Sequence, residues 1–173
     1  MTYLIDNFNE KTTTKKGDIG ENIVDNIMLK KGFIPYMPKE GTGAHPFDRL
    51  YATRDKKTIF ILDIKAKAKR RYYPDTGIDL AHYRQYSHIS DKYKIEVVIL
   101  FVDEESLTVY GGKLINLEAE TTITDKSRTL KYPMIVKNII YFPIKNMIHV
   151  SGITQEEAKA LKIMTTKKEC YKT

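Results

Sequence analysis

The chain has 173 residues, a length that fits one compact domain and is too short for two full ones. Lysine and arginine number 29 against 22 aspartates and glutamates, and the net charge of +7 favours a polyanionic partner such as nucleic acid or an acidic membrane surface. A single cysteine, Cys170, excludes an intramolecular disulfide and a zinc site built from several cysteines.

The beginning of the chain predicts a cytoplasmic protein. Its first apolar run ends at Asp6, before it reaches the length of the apolar segment of a signal peptide. The longest apolar run, residues 97–102, is far short of the ~20 residues needed to cross a bilayer. The lone cysteine agrees with a reducing compartment.

The first predicted element is a helix over about residues 18–31. Its apolar residues recur at helical spacing and fall within one half of the helical wheel, and Gly32 is predicted to end it. Residues 33–38 predict a short strand, whose two prolines fit an edge position. Residues 39–44, which contain two glycines, predict a loop.

A β-hairpin is predicted next. Residues 47–53 and 58–68 have strand-like composition and are separated by a polar turn. The middle of the second strand, residues 58–62, is apolar on both faces, as in a central strand covered by helices. Residues 74–77 then predict a break, and a second helix is predicted up to about Tyr93 from the spacing of Ile78, Ala81, Gln85 and Ile89.

The remainder predicts mostly short strands. Residues 95–102 predict a buried strand, followed by a turn and a strand over 107–110 that two glycines end. Residues 134–136 and 139–142 are strand candidates whose pairing the sequence does not assign. Thr154 predicts the N-cap of a last helix that ends near residue 164. The element order predicts an α/β fold with a mixed central sheet.

Two acids and a lysine are predicted to meet at one end of that sheet. Asp48 begins the first hairpin strand, and Asp63 and Lys65 follow the apolar middle of the second. Adjacent strands of a hairpin place opposite side chains ~5 Å apart, and residues two apart on a strand share a face. The hairpin therefore predicts that both carboxylates and the lysine lie together.

Such a cluster is typical of metal-assisted phosphodiester hydrolysis. Hard oxygen ligands favour Mg²⁺, which stabilises charge developing on phosphoryl oxygens. The strand carbonyl of Ile64 offers a further oxygen ligand. Lys65 could orient or deprotonate the attacking water, or hold the phosphate, and the sequence leaves these roles open.

These residues resemble a known motif. Glu21, Pro46-x-Asp48 and Asp63-Ile64-Lys65 resemble the PD-(D/E)xK nuclease superfamily over roughly residues 14–110. The glycine pattern is most similar to that of archaeal Holliday junction resolvases and related small endonucleases, and consists of Lys16-Gly17-x-x-Gly20-Glu21, Gly32-Phe33 and Gly41-Thr42-Gly43. The Pro-x-Asp spacing is one residue wider than the family name, and Asp63 replaces the glutamate common in resolvases. Both variants occur in the superfamily.

The resemblance implies a restriction-endonuclease-like core of a helix, three strands, a helix and a strand. It implies that Glu21, Asp48 and Asp63 are metal-site carboxylates and that Lys65 is the catalytic lysine. The expected protein is then a Mg²⁺-dependent DNA endonuclease, in which Mn²⁺ can substitute, that leaves 5′-phosphate and 3′-hydroxyl ends. We expect one domain over residues 1–173, with the nuclease core over about 14–110 and a C-terminal extension over 111–173.

A row of basic residues predicts where a nucleic-acid strand would lie. Lys65, Lys67 and Lys69 alternate with apolar residues, which on a strand would space their side chains at ~6.6–7 Å, and Arg70 and Arg71 extend the row. An ordinary solvated face is the alternative. On the second helix, Gln85 is expected to be a buried amide that either ties helix to sheet or reaches the scissile phosphate. Tyr83 and Tyr86 are considered as base-stacking residues.

Simpler structural roles remain for each acid. Glu21 could form a capping box with Asp18. Asp48 could make local bonds at a strand start, and Asp63 could form a purely structural pair with Lys65.

Among nucleases, a structure-selective, resolvase-like enzyme is expected, and a homodimer would match a substrate with two-fold symmetry. The segment after Gly112 would supply the dimer contact or the substrate choice. Alternatives are a restriction-type sequence-specific endonuclease, a non-catalytic nucleic-acid-binding subunit and an enzyme that acts on RNA.

Overall fold

The structure is a computed structural model that describes residues 12–36, 47–125 and 128–169. These ranges contain the helices α1 (Thr12–Lys30), α2 (Leu80–Tyr93), α3 (Leu114–Leu117) and α4 (Gln155–Glu169). Their strands are β1 (Ile34–Tyr36), β2 (Arg49–Ala52), β3 (Ile59–Ala66), β4 (Asp75–Asp79), β5 (Glu96–Asp103), β6 (Thr108–Lys113), β7 (Thr121–Asp125), β8 (Arg128–Tyr132), β9 (Met134–Val136), β10 (Ile139–Pro143) and β11 (Ile148–Gly152). No helix within them is long and apolar enough to cross a membrane.

The central sheet has six strands in the order β1-β2-β3-β5-β6-β11. Strands β3 and β5 run parallel at its centre, and the other neighbouring pairs are antiparallel. The middle of β3 is buried, as its continuous apolar sequence predicts for a strand covered on both faces. The predicted α/β fold with a mixed central sheet is confirmed.

Each face of the central sheet is covered by a different apolar layer. Successive side chains of a strand point to opposite faces, so neighbours on β3 enter different layers. Leu62 packs in a cluster with residues of α1 and α4. Ile61 packs in a second cluster with residues of α2, α3 and β10. The residues that follow on β3 therefore lie between α1 and α2.

A second, three-stranded sheet in the order β4-β10-β9 contradicts one sequence prediction. Residues 74–77 were predicted as a break before the second helix, but residues 75–77 belong to the buried strand β4, and α2 begins only at Leu80. The partner of β4 is β10, about sixty residues later in the chain, so no local pattern reveals the pairing. Gly77 is required there, because a Cβ would lie 2.3 Å from the carbonyl oxygen of Ile140.

Several element ends also differ from the predictions. Helix α1 begins at Thr12, so Asp18 and Glu21 lie in its interior and the capping-box alternative is wrong. Strand β3 ends at Ala66 rather than residue 68, β6 continues through both glycines, and α4 extends to Glu169. The predicted loop over 39–44, together with Pro46 and Cys170, lies outside the described residues.

Residues beyond 110 contribute to both sheets. Strand β11 pairs with β6 and completes the central sheet, and α4 packs against α1 through Leu161. Strand β10 pairs with both β4 and β9, and β7 pairs with β8 in a separate hairpin. The structure thus gives the pairing partners of the strand candidates 134–136 and 139–142, which the sequence leaves unassigned.

Candidate active site

The β2-β3 hairpin has the predicted register. Arg49 pairs with Leu62, and extending this antiparallel register by one residue places Asp48 beside Asp63. Asp48 Oδ2 accepts a hydrogen bond from the backbone N–H of Ile64 at 2.7 Å, which ties the start of β2 to the far part of β3. The structure thus brings both carboxylates to one place, at the carboxyl end of the buried part of β3.

Asp63 is almost completely buried, at 1 % exposure, and its two oxygens differ. Oδ1 accepts hydrogen bonds from Lys65 Nζ at 2.9 Å and from the hydroxyl of Tyr86 at 2.5 Å. Oδ2 lies 2.8 Å from Lys65 Nζ, but it accepts no hydrogen bond of acceptable geometry. A buried carboxylate oxygen without a hydrogen bond is costly, so Oδ2, whose only contact of this kind within the described ranges is the ion pair with Lys65, retains capacity to bind a further group.

The charges of the cluster do not balance. Burial, followed by the neighbouring Asp63 carboxylate, raises the pKa of Asp48 to about 7, although Lys65 and the N–H of Ile64 act in the opposite direction. Burial acts to lower the pKa of Lys65, but Asp63 and Asp48 outweigh it, so the pKa of Lys65 is raised. Lys65 is therefore an ammonium group, and one cation faces two acids.

Tyr86 is a site residue that the sequence analysis assigned to another role. It is 2 % exposed and donates its hydroxyl hydrogen to Asp63, so it is not available for stacking on bases. The same helix exposes Gln85, which contradicts the expectation of a buried amide. The predicted buried face of the helix follows a spacing of four residues through Gln85. In the structure, the buried face instead includes Tyr83, Tyr86 and Ile89, which pack in the core.

Glu21 approaches the cluster from α1, but it is paired with an arginine. Its Oε2 lies 2.9 Å from Arg49 Nη1, and Arg49 also donates to Asp25 Oδ2 from Nε and Nη2 at 3.1 and 3.0 Å. Burial raises the pKa of Glu21 against the effect of Arg49. The charge of Glu21 in turn contributes to the raised pKa of Asp48.

Arg49 and Asp25 were not singled out from the sequence. Arg49 is 8 % exposed, and a buried guanidinium needs an acidic partner. The sequence shows a charged residue, Arg49, next to apolar strand residues. This pattern predicts that an acidic side chain pairs with Arg49, but it does not identify which one.

The basic residues after Lys65 do not form the predicted row on a strand. Strand β3 ends at Ala66, so the following lysines leave the pleat. Lys67 Nζ donates to the carbonyl of Gly77 at 3.0 Å, and burial lowers the pKa of Lys67. Arg70 is bound to Asp75, whereas Lys69 and Arg71 are exposed.

The donor set fits a hydrated magnesium ion. In the described ranges, no group of three or more histidine, cysteine, aspartate and glutamate side chains could hold a metal by itself. Mg²⁺ commonly binds one or two carboxylates, keeps several waters and completes its shell with substrate phosphates. Asp48 and Oδ2 of Asp63, which accepts no hydrogen bond, supply two such carboxylates, and a divalent cation would offset their excess negative charge.

Comparisons with known proteins agree with the fold. No protein-family model and no curated protein matches the sequence. Among solved structures, the chain is similar to the Holliday junction resolvase of the archaeal hyperthermophile Archaeoglobus fulgidus, with 13% identity and a TM-score of 0.50 over 82% of this chain and 99% of the resolvase. The chain has the resolvase fold.

That fold confirms the architecture implied by the resemblance to the PD-(D/E)xK superfamily. D212, a nuclease from a fusselovirus, also matches, with 13% identity and a TM-score of 0.40 over 86% of this chain and 89% of D212. At this level of identity the roles of individual side chains rest on the geometry of the site.

Proposed function

We propose that the protein is a metal-dependent DNA endonuclease that hydrolyses phosphodiester bonds. The observation that carries the proposal is the meeting of Asp48, Asp63 and Lys65 on neighbouring strands, with one buried carboxylate oxygen left without a hydrogen bond. The resolvase fold supports the same conclusion. The cofactor of the proposal is Mg²⁺, and Mn²⁺ substitutes for it.

In this proposal Asp48, Asp63 and the carbonyl of Ile64 hold the metal ion. When bound, Mg²⁺ would neutralise charge that develops on the scissile phosphate. Lys65 acts as a charged hydrogen-bond donor to the phosphate or to the attacking water, because its pKa is raised and it holds its proton. Tyr86 keeps Oδ1 of Asp63 occupied, which directs Oδ2 towards the metal. Glu21 would join the metal shell by leaving Arg49.

The contacts proposed for DNA are Lys67, Lys69, Arg70, Arg71 and Gln85. Exposure of Lys69, Arg71 and Gln85 supports their part of the proposal. Lys67 and Arg70 are bound to protein groups, and Asp75 balances the charge of Arg70, so their part of the proposal rests on their position beside the exposed cations.

We further propose a structure-selective, resolvase-like enzyme that acts as a homodimer in the cytoplasm. The similar archaeal protein is a Holliday junction resolvase, and a two-fold symmetric dimer would match a substrate with two related cleavage positions. A restriction-type enzyme would need further elements for reading the major groove, and this chain has few residues for them.

Cleavage assays test the proposal. A four-way junction, a flap, a single strand and a linear duplex, each labelled, are incubated with Mg²⁺ or Mn²⁺ and with chelator. We expect the junction to be cut in preference to its duplex arms, and we expect chelator or Asp63→Asn to stop the reaction. Asp91→Asn, the same change at an exposed position of α2, is the matched control and should cut like the wild type.

Other outcomes identify the alternatives. Cutting of linear duplex at fixed sequences would indicate a restriction-type enzyme. Binding that falls steeply with salt and needs no divalent metal, without any nicking, would indicate a non-catalytic nucleic-acid-binding subunit. The first result contradicts the proposed structure selectivity, and the second contradicts the proposed activity.

A further inference from the structure

We infer that residues 67–74, which we name the basic loop, form a binding surface for unpaired bases of DNA, with Tyr72 as the stacking residue. The basic loop joins β3 to β4 and begins two residues after Lys65. The inference rests on the proposed function, since it identifies which DNA the same site would take.

The base of the basic loop is firmly held. Arg70 donates from Nε and Nη2 to the two oxygens of Asp75, each at 2.5 Å, and its backbone N–H donates to the carbonyl of Asp75. The guanidinium also lies between the rings of Tyr73 and Tyr141, 4.0 and 3.8 Å from their centroids. The backbone N–H of Lys69 donates to Asp103. The conformation of the loop is therefore set before any ligand binds.

The basic loop exposes an aromatic ring beside a cation. Tyr72 is 73 % exposed, and the Arg71 guanidinium lies 5.4 Å from the centroid of its ring. Lys69 is also exposed. Proteins that bind single-stranded nucleic acid combine such rings, on which bases stack, with cations that follow the backbone. The exposed ring and the exposed cations both fit a nucleic-acid strand.

The position of Tyr72 restricts which bases it can meet. It is the sixth residue after Ala66, the end of β3, so it lies at most about 20 Å from the strand that carries the site. A few nucleotides span that distance. In a paired duplex the faces of the bases are already stacked on each other, so an exposed ring can stack only on an unpaired or displaced base. The basic loop would therefore favour branch points, bulges and flaps over continuous duplex.

The chain contains a matched control for this surface. Tyr93 is 65 % exposed, and Lys92 Nζ lies 5.2 Å from its ring, so the exposure and the neighbouring cation resemble those of Tyr72. Tyr93 lies at the C-terminal end of α2, and the basic loop and β4 precede the N-terminal end of the same helix. Tyr93→Ala removes the same atoms from the same protein without touching the basic loop.

Binding is measured for the full chain with labelled DNA in Ca²⁺, in the absence of Mg²⁺ and Mn²⁺. One DNA is a paired duplex, and the other is the same duplex with a short bulge that carries a fluorescent adenine analogue. We expect Tyr72→Ala to bind the bulged DNA about tenfold or more weakly and to lose the fluorescence change of the stacked analogue. Binding of the paired duplex should stay unchanged. Tyr72→Phe, which keeps a ring, and Tyr93→Ala should behave like the wild type.

The inference is overturned if Tyr72→Ala binds bulged DNA as tightly as the wild type, if it weakens both DNAs equally, or if the wild type binds no bulged DNA. Thermal unfolding of each variant verifies that the exposed substitution leaves the fold intact. The proposed activity is tested separately by cleavage in Mg²⁺. Asp63-dependent cleavage together with bulged-DNA binding that is the same in Tyr72→Ala and the wild type overturns the inference alone, and Tyr72-dependent binding without cleavage overturns the proposed activity alone.

Discussion

Two of the buried aspartates in the described part of the chain, Asp63 and Asp75, each contact a basic side chain and a tyrosine hydroxyl. Asp63 is bound by Lys65 and by the hydroxyl of Tyr86, and Asp75 is bound by Arg70 and by the hydroxyl of Tyr132. Both carboxylates are essentially inaccessible to solvent.

The two clusters differ in how completely they are satisfied. Arg70 binds both oxygens of Asp75, so one charge faces one charge and every oxygen has a hydrogen bond. At Asp63, Oδ2 accepts no hydrogen bond, and the neighbouring Asp48 adds a second acid. A completed ion pair is a structural feature, whereas an incomplete one with excess negative charge is suited to bind a cation. Substitutions at the two clusters should therefore affect different properties.

Asp63→Asn should have the largest effect on catalysis. It removes a metal ligand and the charge that faces Lys65, and we expect cleavage to fall by roughly 10³-fold or more. The melting temperature should stay close to that of the wild type, since Asp48 remains as a counter-charge for Lys65 and the amide can still accept from Tyr86. Gel assays of cleavage and thermal unfolding measure the two effects. Full activity in Asp63→Asn would contradict the catalytic role of the Asp63 cluster.

Asp75→Asn should have the opposite profile. It removes the counter-charge of the Arg70 guanidinium, whose side chain is 24 % exposed, and we expect the free energy of unfolding to fall by about 1.5–3 kcal/mol, the range for hydrogen bonds between charged groups. Urea denaturation measures this loss. Mn²⁺ affinity should change little in the protein that remains folded. An Asp75→Asn variant as stable as the wild type would contradict the structural role of this cluster.

The two tyrosines sharpen the comparison with a single-atom change. Tyr86→Phe removes the donor that fixes Asp63 and should weaken Mn²⁺ binding by about tenfold, as for other groups that orient metal ligands. Tyr132→Phe should leave Mn²⁺ affinity unchanged and lower stability by about 1 kcal/mol. Calorimetric titration with Mn²⁺ distinguishes them. Equal Mn²⁺ affinities in the wild type and Tyr86→Phe would show that Tyr86 does not act on the metal site.

The pH dependence follows from Asp48. Its folded-state pKa of about 7 lies above its ordinary value of 3.8, so its contribution to stability is complete below pH 3.8 and is lost as the pH rises towards 7. The metal must displace the proton, so Mn²⁺ affinity should rise by up to about tenfold per pH unit below 7 and level off above it. Titrations at several pH values measure the slope. In Asp48→Asn the slope should disappear, and an unchanged slope would assign it to another group.

The site was predictable from the sequence to the extent that its contacts are local. Asp48 and Asp63 belong to one hairpin, so strand composition and the length of the turn were sufficient to bring them together. The two-sided apolar middle of β3 also predicted a central, covered strand.

The contacts that were missed connect distant parts of the chain. Tyr86 contacts Asp63 from α2. Predicting this contact requires knowing which face of α2 is buried, and the apolar spacing wrongly predicts that this face includes Gln85. Arg49 reaches Asp25 on α1 across 24 residues. The sequence predicts a break where β4 lies, because the strand that pairs with it, β10, is far away in the chain. Burial of a charged group predicts a partner, but only the fold supplies its position.

The central claim is that Asp48 and Asp63 together bind a hard divalent ion. Anomalous diffraction from a Mn²⁺-soaked crystal tests it most directly. We predict a single strong peak within coordination distance of Asp63 Oδ2 and of the Asp48 carboxylate, absent from Asp63→Asn crystals soaked in the same way. Saturating Mn²⁺ with no peak at these oxygens, or a peak bound elsewhere in the molecule, would contradict the account.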